Sequence, residues 1–329
     1  MVEGKHYELT PTKYRFLFGP AEPVLTLHSG ESLSAFTVDA EGFDCLGNPL
    51  TWDKKEVSPA TEFKESNPLV GPIWIEEAYP GDLLKVKIDA ISLDRDYAWS
   101  GHSPHFGVLT EESEGQLLLF NDPLPRVRYR WHLDLESQTA TWELSHSRLK
   151  KVTIPLHPFI GSIGVAPRFG RVETALTPGE YGGNMDCPEV KEGVILYLPV
   201  WVRGGYLSFG DVHAAQGDGE ISGCALETTA RVTLSLEVIK NKKADWPRVE
   251  DQTHIMVVGS TRPLLNAIRI AHLELVRWLV EDYGFERWEA FELLSQVGTM
   301  RVGNVVDPNY SVVAKFPKRY LPKETNSVS

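Results

Sequence analysis

Glycine, proline, asparagine and aspartate interrupt this chain every few residues from about residue 14 to residue 240, and the runs between them are short, β-branched or alternating. Interruptions that frequent leave no room for an apolar stripe at helical spacing, so the pattern predicts β structure. The clearest run is Ala230 to Val238. Val232, Leu234 and Leu236 share one face of it, and Arg231, Thr233, Ser235 and Glu237 share the other, as in a strand with one wet side. Val24 to Leu27, Leu33 to Val38, Leu83 to Ile91, Val152 to Ile154 and Val194 to Val202 are further strand candidates. Turns are expected at Gly47-Asn-Pro49, Tyr79-Pro-Gly-Asp82, Thr177-Pro-Gly-Glu180 and Arg203-Gly-Gly205, where proline fixes φ and glycine permits positive φ. Asp94 to Lys150 reads as a loop-rich excursion or lid carrying Trp and Tyr residues.

The character changes after Asp251. Leu264, Ile268, Ala271, Leu275 and Leu279 recur at helical spacing, which predicts a helix from about Pro263 to Tyr283 with Gly284 placed to end it. Phe285, Trp288, Phe291 and Leu294 begin a second amphipathic helix, and Val302 to Pro308 and Ser311 to Pro317 return to β. The fold class expected is therefore mainly β with a C-terminal helical pair (α+β). A β-rich body over 1–250 carries the polar motifs, and 251–329 forms a helical pair with returning strands packed on that body. A polar tail from Lys323 is expected to be disordered.

Charge narrows the partners. The chain has 45 Asp and Glu against 33 Lys and Arg, a net charge of −12, which repels phosphate backbones and anionic lipid. No nucleic acid and no membrane partner is expected. No run approaches the roughly 20 apolar residues that span a bilayer. The first ten residues lack the charged-then-apolar layout of a secretory signal, so the expected location is cytoplasmic. Cys45, Cys187 and Cys224 are odd in number and far apart, which argues against disulfides and a thiolate zinc site and predicts small buried residues.

Residues capable of chemistry crowd between Tyr181 and Glu220. Two clusters stand out, Tyr181-Gly-Gly-Asn-Met-Asp186 and Gly210-Asp-Val-His-Ala-Ala-Gln-Gly-Asp-Gly-Glu220. Within them Asn184/Asp186, Asp211/His213 and Asp218/Glu220 are spaced i,i+2, which in extended chain aims both side chains the same way. A hard or borderline cation needs several oxygens, and usually an imidazole, around one point, and pairs joined by a glycine turn supply them. Other motifs are weaker. His102 and His105 sit in a Ser/Pro-rich loop and read as surface histidines. Gly217 to Gly223 is one residue too long for a dinucleotide fingerprint, and neither a phosphate-binding Walker sequence nor a G-x-S-x-G elbow occurs.

The motifs Gly71-Pro-Ile-Trp-Ile-Glu76, Tyr79-Pro-Gly-Asp82, Gly161-Ser-Ile-Gly-Val-Ala-Pro167, Tyr181 to Asp186, Leu196-Tyr-Leu-Pro-Val200, Gly210 to Glu220 and Val305-Val-Asp-Pro308 follow one another in order. In them the chain resembles the acetamidase/formamidase family. The resemblance implies a distorted jelly-roll or CUB-like β-sandwich and a homo-oligomer, commonly a dimer. It also implies metal-dependent hydrolysis of small aliphatic amides, such as formamide or acetamide, to carboxylate and ammonia. The chain departs from the family at Tyr181, where many members carry His, and Tyr97 to Ser147 follows none of the motifs.

On that reading Asp186, Asp211 and His213 are metal ligands, with Asp218 as the alternative to Asp186. The metal is zinc, with calcium as the alternative. Glu220 is general base and then acid, with Asp218 next in line, while Asn184 and Gln216 hydrogen-bond the substrate's carbonyl and amide. Glu76, after an apolar run, is a further candidate. Two competing readings stay open: a β-sandwich that binds metal without catalysis, and a hydrolase of a larger amide or other C–N compound whose pocket is lined by Trp99 to Phe106.

Overall fold

The computed structural model describes residues 4–51, 55–56, 66–104, 106–109 and 125–322. Alternation in the sequence becomes alternation in burial along the strand Ala230–Ile239, where Val232, Leu234 and Leu236 are buried and the residues between them reach the other face. This strand pairs antiparallel with Leu83–Leu93 on one side and Ser32–Phe36 on the other. Among the described residues they belong to a nine-stranded sheet that runs on through Ile195–Pro199, Arg248–Glu250, His254–Thr261, Tyr310–Pro317 and Thr299–Asn304.

A second sheet is built around Leu207–His213. That strand pairs antiparallel with Leu69–Ile75, Phe159–Gly164 and Glu227–Thr228. One apolar core draws on both sheets: Val86, Leu196 and Leu234 from the first meet Ile73, Ile163 and Phe209 from the second, all fully buried. Leu25–Leu27, Ser32–Phe36, Leu83–Leu93, Lys151–Pro155 and Ile195–Pro199 lie where strands are expected.

The described residues of 94–150, where a loop-rich excursion or lid is expected, carry three strands. Tyr97–His102, Val127–Asp134, Thr139–Glu143 and Lys151–Pro155 form an antiparallel meander that extends the second sheet. Its aromatics pack on one another, with Trp142 ring centroids 4.8 Å from Tyr129 and 5.3 Å from Trp131. His102 in this region is half-buried; His105 and the tail from Lys323 lie outside the described residues. Of the cysteines, Cys187 is buried and Cys224 half-buried, but Cys45 is exposed. It sits in a turn that Asp44 Oδ1 organises by accepting from the Leu46 and Asn48 amides, which leaves Cys45 facing water.

Helix α1 spans Leu264–Tyr283 and ends at Gly284, whose φ of 69° is the left-handed value a side chain resists. Its Ala267, Ala271, Leu275 and Leu279 pack on Val257, Val312, Ala314 and Phe316, so these C-terminal strands are buried on both faces. Helix α2, Arg287–Val297, is capped by the Glu286 carboxylate, which accepts from the Trp288 and Glu289 amides. Its inward face differs from the expected one. Ala290 and Leu294 are buried, whereas Trp288 and Phe291 are exposed. No helix among the described residues is long and apolar enough to cross a membrane.

α1 is fastened to the sheet by charge as well as by apolar packing. Arg248 Nε and Nη2 donate to Glu274 Oε1 at 3.0 and 2.7 Å, and both side chains are almost wholly buried. Removing one partner of a buried pair leaves the other uncompensated. Glu274→Ala is therefore expected to lower unfolding free energy by about 3 kcal/mol in denaturant titration. A loss below about 1 kcal/mol would show that Arg248 finds water or another partner.

Candidate active site

Strand Leu207–His213 carries Asp211 and His213 two residues apart, and the sheet brings the rest to them. In register, His213 faces Phe159 on one neighbour and Glu227 on the other. Ser162 lies opposite Asn184 of Gly182–Asn184, which leads into Asp186. Asn67 precedes Leu69–Ile75, and Asp307 lies between the last two strands. Five carboxylates and one imidazole thus meet in overlapping trios, Asp186/Asp211/His213, His213/Glu220/Glu227 and Asp186/Glu220/Asp307, with ligand atoms in each trio within 4.8 Å of one another. All six residues are buried.

Three of these carboxylates share one arrangement, with one oxygen anchored and the other bare. Asp186 Oδ2 accepts from Asn184 Nδ2 at 2.7 Å, Asp211 Oδ2 from Asn67 Nδ2 at 2.9 Å, and Glu227 Oε1 from the Ala225 amide at 2.9 Å. Asp186 Oδ1, Asp211 Oδ1 and Glu227 Oε2 are buried without a hydrogen-bond partner. Glu227 Oε2 lies 3.4 Å from His213 Nε2, but not aligned for a hydrogen bond. Buried carboxylate oxygens left bare are costly unless a cation or proton meets them.

Backbone strain gathers at the same place. Of the nine non-glycine residues at positive φ among the described residues, three belong to the cluster, Asp186 (45°), Asp211 (57°) and Glu220 (47°), and a fourth, Asn67 (57°), donates to it. Such conformations cost on the order of 1 kcal/mol each and persist only where surrounding contacts enforce them. Gly161 floors the site. A Cβ there would lie 2.7 Å from Asp186 Oδ1 and 2.8 Å from Asp211 Oδ2, so only glycine lets the two carboxylates approach.

Above the cluster opens a cavity of about 420 Å³. Asn67, Asp211, His213, Glu220, Glu227 and Asp307 form its floor, Trp99, Pro104, Phe106 and Leu176 its walls, and Glu41, Arg126 and Arg128 its rim. The sequence model of the acetamidase/formamidase family matches residues 21–176 and 170–321. The chain belongs to the acetamidase/formamidase family. Formamidase of Methylophilus methylotrophus is 29% identical over 53% of this chain, and a putative formamidase of Schizosaccharomyces pombe is 28% identical over 67%. The matches span 52% and 62% of those relatives' lengths. A solved acetamidase of Yersinia enterocolitica is 38% identical with a TM-score of 0.83, covering 97% of this chain and 93% of that one.

The family's longest motif, Gly210 to Glu220, contributes Asp211, His213 and Glu220 to the cluster, and the Tyr181 motif contributes Asp186. Four other expected site residues, Asp218, Gln216, Asn184 and Glu76, each have partners within the protein. Asp218 is 65% exposed and pairs with Arg301 at 3.0 Å, because residues 217–220 turn rather than run extended. Gln216 is not among the residues that line the cavity. Its Nε2 donates to the Asp186 and Gly303 carbonyls at 2.9 and 3.0 Å, which turns its Oε1 toward His213 Nδ1 at 3.0 Å. Asn184 is likewise spent: Nδ2 donates to Asp186 and Asp307, and Oδ1 accepts from Asn67 and Ser162. Glu76 stands elsewhere, bonded to Trp74 Nε1 at 2.8 Å. Sequence reasoning missed Glu227, Asp307 and Asn67. Asp307 was within reach, since it lies in the Val305-Val-Asp-Pro308 motif.

Burial pushes Asp186 well above the usual carboxylate range, and the Glu220, Asp307 and Asp211 charges add to it. Burial raises Glu220 and Glu227 too, against the opposing pull of His213. For His213, burial works downward but is outweighed by Glu227 and Asp211, which hold the imidazole well above its ordinary value. Each of these groups binds its proton more tightly folded than unfolded, so stability falls as pH rises through this window. Glu180 and Asp82, where burial is overcome by Arg171 and Lys240, are shifted the opposite way, whereas burial raises Glu274 and Asp94 alongside the cluster. Chelator-treated protein is expected to lose several degrees of Tm between about pH 5 and about pH 8. A Tm that stays flat or rises over that range would contradict this electrostatic picture.

Proposed function

We propose that the protein hydrolyses the C–N bond of a small linear amide to a carboxylate and ammonia, using a divalent cation held by Asp186, Asp211 and His213. The supporting observation is the set of bare oxygens, Asp186 Oδ1 and Asp211 Oδ1 foremost, buried beside an imidazole whose Nε2 is also turned inward. A donor set of this kind fits a cation, and Gly161 leaves space between the two aspartates that a side chain would fill. The imidazole favours zinc or another first-row ion over calcium, which prefers oxygen ligands throughout. When bound, such an ion supplies Lewis acidity and a water acidified toward neutral pH.

The protein's own groups divide the remaining work. Gln216 Oε1 accepts, so His213 keeps a proton on Nδ1, and Nε2, which Glu227 and Asp211 hold protonated in the cation-free protein, is the atom that would face a bound cation once deprotonated. Asn184 and Asn67 fix the orientation of the Asp186 and Asp211 carboxylates. Burial raises the proton affinity of Glu220, the direction that acid–base work asks of a carboxylate. It takes a proton from the attacking water as the C–O bond forms and returns it to the nitrogen as the C–N bond breaks. Water and amide become carboxylic acid and ammonia, with the acid ionising afterwards. The names of the relatives, formamidase and acetamidase, support small linear amides as the substrate class.

Three variants separate ligand from base. Glu220→Gln is expected to keep its metal and lose roughly 100-fold or more in ammonia release, whereas Asp211→Ala and His213→Ala lose metal and turnover together. Elemental analysis and ammonia assay on the same preparations decide between these roles. A Glu220→Gln protein that is metal-free or fully active would remove Glu220 from the role of base.

A further inference from the structure

The cavity is too large for a two-carbon amide to fill, and aromatic and apolar side chains share its lining with polar ones. At about 420 Å³ it has the room of roughly fourteen waters, of which acetamide would take roughly three. The polar floor accounts for the amide group alone. Above it Trp99, Phe106 and Leu176 present half-buried apolar surface to the same space, and nothing in an acetamide molecule would cover it.

That wall is fixed in place. Trp99 Nε1 donates to Asp39 Oδ2 at 3.1 Å, and the same oxygen accepts from Arg95 Nη1 at 2.9 Å in an ion pair that is 1% exposed on both sides. Asp39 Oδ1 meanwhile accepts from the Glu41 and Phe43 amides at 3.1 and 2.9 Å. The Arg128 guanidinium stacks 4.5 Å from the Trp99 ring and is itself held by Glu41. Phe106 is seated as closely: a Cβ on Gly223 would fall 2.3 Å from its ring, so that position must be glycine for the ring to stand where it does. A buried ion pair spent on orienting one indole, and a glycine on admitting one phenyl ring, describe a preorganised aromatic surface of the sort that lowers the ordering cost of binding a flat apolar group.

We infer that the preferred substrate is a primary amide whose acyl group carries an aromatic ring, the amide lying on the carboxylate–histidine floor and the ring against Trp99 and Phe106. This rests on the amide-hydrolase reading above and adds the identity of the acyl group to it. The test is kcat/KM for ammonia release from phenylacetamide and from acetamide, on zinc-supplied full-length protein and on its Trp99→Ala and Phe106→Ala variants. The expected result is a preference for phenylacetamide of at least about tenfold in the native protein, falling by about tenfold or more in each variant. The preference in the native protein needs no variant to fold. Turnover of acetamide equal to or better than phenylacetamide overturns the inference while leaving the hydrolase reading standing. A preference that survives both substitutions overturns the role of the wall. No ammonia from either amide overturns the hydrolase reading and this inference with it.

Discussion

Everything around the site answers to one constraint: four carboxylates are buried within reach of a single imidazole, and a fifth, Asp307, lies within reach of two of them. Two unit charges about 4 Å apart interact by about 4 kcal/mol at the effective dielectric of a protein surface, and more in its interior. One histidine cannot balance that load. The fold responds with neutral donors placed against one oxygen of each anchored carboxylate, Asn184 for Asp186, Asn67 for Asp211 and the Ala225 amide for Glu227. The opposite oxygens remain bare and inward. Holding such an arrangement needs a stiff frame, and the core shared between the two sheets provides it, with Ile163, Phe209 and Val212 on the strands that carry the cluster. The strained φ values of Asp186, Asp211 and Glu220 show how much local geometry that frame overrides.

What could be read from the sequence follows from what is local. Strands such as Ala230–Ile239 and helix α1 were legible because their periodicity lies within one run of residues. Asp211 and His213 were legible for the same reason, since alternation on a single strand aims both side chains one way. Asp218 failed that argument because the backbone turns at Gly219 and Glu220, with φ of 84° and 47°, and the i,i+2 rule holds only for extended chain. Glu227, Asn67 and Asp307 reach the cluster through pairing and turns distant in sequence, and no single run contains that information. Asn184 and Gln216 were found as residues, and the structure engages both in holding the cluster's side chains and backbone. Their roles appear only when every donor and acceptor around them is counted, which leaves none for a substrate.

The meander over 97–155 was hidden by its composition. In Val127–Asp134 the inward Trp131 and Leu133 alternate with Arg128, Arg130 and His132, and the large charged side chains mask a period of two that is present. Helix α2 misled in the opposite sense. Its most apolar-looking stripe, Trp288 and Phe291, is exposed, and the buried face is set by the small Ala290 and by Leu294 where α2 meets α1 and the sheet. In both cases the partner surface, absent from the local sequence, decides which face turns inward.

In the function proposed above, the bare oxygens hold a cation on which turnover depends. The most direct measurement is elemental analysis of protein purified without added metal, followed by an ammonia-release assay on the same sample before chelation, after it and after metal is returned. The expected result is about one divalent ion per chain, ammonia release that disappears with the ion, and recovery when zinc or a related first-row ion is restored. Full turnover by protein shown to be metal-free would contradict it.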